Sequence, residues 1–114
     1  MSLIYKILDR PAWEAALARG VFLGSPVDEA DGYIHFSTAD QAQETARRYF
    51  HGQADLVILA VETEGLGEAL KWEPARGGAL FPHLYGPLDV RSVVRVATVP
   101  LGPEGMPQIP RLDA

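Results

Sequence analysis

The chain has 114 residues, 47% of them hydrophobic and 22% charged, with a formal net charge of −5. That length and composition describe one globular domain able to hold a core, and they exclude global disorder. The acidic balance argues against a nucleic-acid coat or a membrane-surface binder, and the absence of cysteine excludes disulfides, thiolate metal sites and cysteine nucleophiles.

In chain order, Leu3–Leu8 is an apolar run carrying Tyr5 and Lys6 and reads as a first strand. Asp9 is placed to cap a helix from Arg10 to Arg19, with Pro11 in its first turn, Trp13, Ala16 and Leu17 on one face, and Gly20 as its stop. Val21–Leu23 is too short to assign. Gly24-Ser25-Pro26 and Glu29–Gly32 read as turns. Tyr33–Ser37 reads as a short strand. Thr38 and Gln41 form a capping box for a second helix reaching Phe50, which puts Ala42, Ala46, Tyr49 and Phe50 on one side.

The run Leu-Val-Ile-Leu-Ala-Val within Asp55–Glu64 has the β-branched content of a buried strand. Gly65–Ala79 is irregular by composition, Leu80–Tyr85 is an edge or turn segment around Pro82, and Val90–Val99 is a last strand. Four prolines, at positions 100, 103, 107 and 110, predict an extended, loosely packed tail over 101–114, after a single domain over 1–100. Two helices with five or six strands predict an α+β fold with a twisted, mostly antiparallel sheet. No signal peptide and no membrane span is readable, so a cytoplasmic protein is expected.

Common signatures are absent: there is no phosphate loop, no dinucleotide fingerprint around Gly65-Leu66-Gly67, no H-E-x-x-H and no G-x-S-x-G. Chemistry therefore concentrates in two segments, Gly32–Ser37 and Lys71–Gly86. Strand alternation puts Tyr33, His35 and Ser37 on one face, opposite Ile34 and Phe36, which makes a hydrogen-bonding surface for a ligand. In Lys71-Trp72-Glu73, burial of the carboxyl against the indole would raise its pKa and suit acid or base work. Phe81-Pro82-His83-Leu84-Tyr85-Gly86-Pro87 is stiffened by its prolines and offers aromatic faces and polar tips. Catalytic candidates are thus His35, Glu73 and His83; substrate-binding candidates are Tyr33, Ser37, Trp72, Phe81 and Tyr85. Arg76-Gly77-Gly78 reads as a linker or an anion-approach site. His51 reads as a helix-end histidine. The three histidines are not at metal-ligand spacing, and no metal site is expected.

The segments at 32–41, 71–73 and 81–88 resemble those of the bacterial "domain of unknown function 952" family, over nearly the whole chain up to Val99 but not its tail. That family is distantly similar to the ADP-ribosyltransferase-like superfamily, whose split sheet binds NAD. The resemblance implies that His35 and Ser37 contact the NAD ribose and nicotinamide amide. It also implies that Tyr85 or His83 packs by the nicotinamide and that Glu73 stabilises the oxocarbenium-like centre. One departure stands out: the superfamily's glutamate follows the aromatic position, whereas Glu73 precedes it.

The expected function is NAD or nucleotide binding with ADP-ribosyl transfer or NAD glycohydrolysis, with NAD a candidate substrate and no cofactor assigned. The alternatives are a non-catalytic small-molecule binding or protein-interaction module, and a non-NAD hydrolase using a His/Glu pair. A small-molecule or nucleotide ligand is expected, with no nucleic-acid or membrane partner, and the oligomeric state is left open.

Overall fold

The computed structural model describes residues 2–112; Met1 and the end of the tail, Asp113 and Ala114, lie outside the described residues. The elements are β1 (Leu3–Asp9), α1 (Arg10–Arg19), β2 (Val21–Phe22), α2 (Pro26–Asp31), β3 (Ile34–His35), α3 (Ala39–Tyr49), β4 (Leu56–Glu62), β5 (Leu70–Pro74), β6 (Leu80–Leu84), β7 (Leu88–Asp89) and β8 (Val93–Val99). Short 3₁₀ turns at Glu64–Ala69, Arg76–Gly78, Val90–Ser92 and Pro103–Gly105 join or follow them. The fold is α+β with antiparallel sheets, and α1 and α3 are its main helices.

Three strands pair in the order β1-β4-β8, three more as β3-β6-β5, and β2 pairs with β7. A single antiparallel pair joins the two larger sheets. Tyr5 N–H donates to Ser37 O and Ser37 N–H donates to Tyr5 O, each at 2.8 Å. Beyond that pair β1 and β3 part company, so the sheet is split.

The β1–β4 half is covered on both faces, which is why β4 reads as an unbroken apolar run. Ile4, Leu8, Val57, Leu59 and Val61 pack with Trp13 and Ala16 of α1 and with Phe22, Ile34, Phe36, Leu84 and Leu88. Tyr5, Ile7, Leu56, Ile58 and Ala60 pack on the other side with Ala42 and Ala46 of α3. Asp9 caps α1 by accepting from Ala12 N–H at 3.0 Å, and Gly20 stops it at φ 85°, a conformation that suits glycine.

Five expectations of local structure need correction, the first being that Gly65–Ala79, read as irregular, holds the strand β5 over Leu70–Pro74. Leu17 is 51% exposed, because the sheet needs only Trp13 and Ala16 from α1. Tyr49 is also exposed and does not join the buried side of α3. The segment read as turns around Pro26 is the helix α2, with Pro26 in its first turn and Ser25 paired with Asp28 in a capping box. Finally, the tail is not loosely packed over its described part. It folds back on α3, where Gln43 Nε2 donates to Pro107 O at 2.9 Å and Ile109 N–H donates to Gln43 Oε1 at 3.0 Å. Ile109 and Leu112 pack against the α3-side core, so apolar burial holds a segment whose prolines suggested extension.

This packing makes β4 the mechanical centre of the fold. Leu59→Ala, at a fully buried position, is expected to lower stability by about 2–5 kcal/mol in urea unfolding. Val96→Ala, on the exposed side of β8, is expected to change it by less than about 1 kcal/mol. Equal losses at the two positions would contradict this picture.

Candidate functional site

The β3-β6-β5 sheet carries the candidate side chains because its register puts them on one face. His35 lies directly opposite His83, and on the other side of β6 Lys71 lies opposite His83 and Glu73 opposite Phe81. Directly opposed residues in an antiparallel pair point to the same face, as do residues two apart. The face is therefore laid out in rows: Tyr33 and Tyr85 at one end, His35 and His83 in the middle, Ser37 and Phe81 at the other end. Ile34 and Leu84 point the other way and are buried in the core, which fixes this alternation.

The rings touch. Tyr33 lies 4.1 Å from His83, 4.6 Å from His35 and 5.1 Å from Tyr85, centroid to centroid. The two imidazoles are 5.6 Å apart, edge to face. Glu73 ties the first two rows together. Its Oε1 accepts from Tyr85 Oη at 2.8 Å and lies 2.7 Å from His83 Nδ1. The hydrogen bond from His83, then that from Tyr85, lowers the Glu73 carboxyl below its ordinary pKa. The same bond raises the Tyr85 phenol, and burial with the charges of Asp31, Glu73 and Asp28 raises that of Tyr33. Among the described residues His83 Nε2 has no protein hydrogen-bond partner.

His35 is held differently. Its Nδ1 lies 2.6 Å from Asp28 Oδ1 and its Nε2 lies 3.0 Å from Asp31 Oδ2. Both contacts are hydrogen bonds at once only when the ring carries both protons. Asp28 is itself buried and receives Lys6 Nζ at 2.8 and 3.1 Å, Ser25 N–H at 2.8 Å and His35 N–H at 3.1 Å. Burial opposes ionisation of Asp28, but His35, Lys6 and Ser25 outweigh it and bring the carboxyl down to about 2. Burial lowers the Lys6 ammonium below its ordinary pKa, against the opposing pull of Asp28.

Six of the candidates thus share one face in close contact or reach: Tyr33, His35, Glu73, Phe81, His83 and Tyr85. Ser37 is on that face but turned to α3, its Oγ 2.9 Å from Thr45 Oγ1. Trp72 is on the opposite face, alongside Pro82, and 46% exposed, so the structure does not bring it to the cluster. Glu73 is accordingly not buried against an indole, and its pKa moves down instead of up. Phe81 is buried, whereas Tyr85 is 41% exposed. Sequence reasoning missed Lys6, Asp28 and Asp31. Two signals pointed to them: a lysine inside an apolar strand demands a buried counter-charge, and Ser25-Pro26-x-Asp28 is a helix-start signature.

A cleft of about 290 Å³ opens beside Tyr33, lined by Leu23, Glu29, Ile34, Leu84 and Pro87 together with Asp28. Another of about 300 Å³ lies between α3 and the tail, lined by no histidine or other titratable residue. Among the described residues no three His, Asp or Glu side chains are arranged to hold a metal ion. None of the described helices is long and apolar enough to cross a membrane.

Two outcomes follow for Asp28. Asp28→Asn leaves the Lys6 ammonium buried without a counter-charge and is expected to cost about 3–5 kcal/mol in chemical unfolding. The sign with pH follows from the depressed carboxyl: its contribution is fully present above the ordinary carboxylate pKa of 3.8 and is lost as pH falls toward about 2. Stability measured between pH 5 and pH 2 should therefore fall more steeply in the wild type than in Asp28→Asn, by on the order of 2 kcal/mol. Parallel profiles would show that Asp28 carries no such linkage.

Comparison with known proteins places the chain in a family. No curated protein matches the sequence. The crystal structure of protein CC0527 from Caulobacter crescentus is similar, with 62% identity, a TM-score of 0.91 and 94% of each chain covered. The solution NMR structure of CC0527 is also 62% identical, with a TM-score of 0.84, covering 95% of this chain and 93% of that one. The profile of a family described as "Protein of unknown function (DUF952)" matches residues 7–96, from within β1 to within β8, and to that family the chain belongs.

Proposed function

We propose that the tyrosine–histidine face binds a nucleotide, with NAD the candidate substrate, and that it cleaves the bond between ribose and nicotinamide by hydrolysis or ADP-ribosyl transfer, in the cytoplasm. The observation that carries this reading is the position of Glu73. Its Oε1 spans the tyrosine row and the imidazole row, at 2.8 Å from Tyr85 Oη and 2.7 Å from His83 Nδ1. A flat ring stacked at the tyrosines and a ribose at the imidazoles would place the glycosidic bond between those rows, beside an ionised carboxylate.

The chemistry balances on this chain's own groups. In hydrolysis the C1′–N bond breaks and its electron pair leaves with nicotinamide, so positive charge develops on the ribose next to Glu73. A C1′–O bond forms to water, and the water's proton passes to His83 Nε2, the imidazole nitrogen not occupied by Glu73. In transfer an acceptor nucleophile takes the place of water. That Glu73 precedes His83 and Tyr85 in sequence is no obstacle, because the antiparallel β5–β6 pairing sets them side by side.

A second reading rests on the same pair. An imidazole oriented at Nδ1 by a carboxylate is a general base for hydrolysis of another substrate.

The test is nicotinamide release from NAD together with the thermal shift that NAD produces. Release by the wild type is expected to fall by roughly 10²-fold or more in His83→Ala and in Glu73→Gln. A thermal shift without release would leave a binding module. Neither shift nor release would remove the NAD reading and leave the His83–Glu73 hydrolase.

A further inference from the structure

Next to the Ser37 and Phe81 end of the face lies an arginine that neither the ribose nor the ring of the proposed substrate uses. The Arg76 guanidinium sits 4.8 Å from the centroid of Phe81 and 5.9 Å from that of Tyr49. It is half-buried, and among the described residues it makes no ion pair. Its one side-chain hydrogen bond is a long one, from Nη2 to Thr45 Oγ1 at 3.4 Å.

The acidic side chains nearest along the chain and across the sheet are already committed. Glu73, opposite Phe81, is held by His83 and Tyr85. Glu44, beside Thr45 on α3, is held by Arg47 and Arg48. In a chain of net charge −5, a half-buried cation is thus left without a carboxylate.

The aromatic contacts have a chemical consequence. A guanidinium held against an aromatic ring keeps N–H donors at its planar edge, and that edge can grip a phosphate with two parallel hydrogen bonds. Beside it, the buried Ser37 hydroxyl pairs at 2.9 Å with the half-buried Thr45 hydroxyl, so Ser37 orients Thr45, and Thr45 is the hydroxyl within a ligand's reach. The turn that carries Arg76 runs into Gly77 and Gly78, at φ 70° and 82°, where a side chain would meet nothing within 4 Å. The turn beside Arg76 is therefore open to solvent.

We infer that Arg76, with the Thr45 hydroxyl that Ser37 orients, is a phosphate anchor, and that the substrate class is a nucleotide and not a nucleoside. This rests on the reading of the face proposed above. It extends that reading along β6: ring at Tyr33 and Tyr85, ribose at His35 and His83, phosphate at Arg76. Phe81 and His83 are two residues apart on one strand, roughly 7 Å, a spacing that a ribose 5′-phosphate bridges.

The experiment is equilibrium titration of the intact chain with nicotinamide riboside, nicotinamide mononucleotide and NAD. The wild type is expected to bind the mononucleotide and NAD at least tenfold more tightly than the riboside. That preference should disappear in Arg76→Gln and weaken as salt is raised. Arg76→Lys, which keeps the charge but not the planar fork, should retain only part of it. Thermal unfolding of each variant, matched to the wild type, establishes that the change is local. Equal wild-type affinity for riboside and mononucleotide, or a preference that survives in Arg76→Gln, would overturn the anchor and leave nucleoside binding at the face standing. If none of the three compounds binds, the nucleotide reading of the face fails and the anchor fails with it.

Discussion

A buried carboxylate holds this structure together at its weakest seam. Where β1 and β3 run side by side they share only the Tyr5–Ser37 pair. Continuing the ladder would pair His35 with Ile7, and His35 N–H would donate to a strand carbonyl. It donates instead to Asp28 Oδ1, and the other side of the same carboxylate takes the Lys6 ammonium from β1. Asp28 thus substitutes for the missing strand pairing: it stands between the two half-sheets and satisfies a polar group on each. An unpaired N–H or an unpaired ammonium at that depth would be costly, so the split is tolerable only because the carboxylate fills it.

The same carboxylate reaches the site. It holds the backbone and the ring of His35 together, which leaves that side chain little freedom to turn. His83 is fixed by a different acid, Glu73, on the opposite side of the face. The two imidazoles are therefore neighbours with separate supports. One is enclosed between Asp28 and Asp31, and the other keeps a nitrogen available. Two rings of identical chemistry, held in unlike environments, are suited to unlike roles.

Much of this was legible in the residues. Asp9, Pro11 and Gly20 marked α1, Thr38 and Gln41 marked α3, and the apolar run of β4 announced a strand buried on both sides. The period of two over Tyr33–Ser37 told which side chains share a face. What could not be read was whatever depends on distant partners. Nothing local shows that β5 pairs with β6 so as to bring Glu73 to His83, or that Trp72 thereby faces away. The partner of Lys6 could not be read, because it lies 22 positions on, in a helix of six residues that composition presented as a turn. The tail misled for the reverse reason: its prolines describe backbone stiffness, while Ile109 and Leu112 decide where the stiff chain comes to rest.

Because β3 is only two residues long, its register against β6 has consequences beyond its size. A slip by one position would turn Ile34 and Phe36 out to water and push Tyr33 and His35 toward the apolar interior, so the core forbids it. The hydrophobic residues thereby act as a ruler for the polar ones. Spacing across the face is set in whole residues by the buried side of the sheet. Evolution can retune this surface by exchanging side chains in fixed seats, but sliding the seats themselves would mean rebuilding the core.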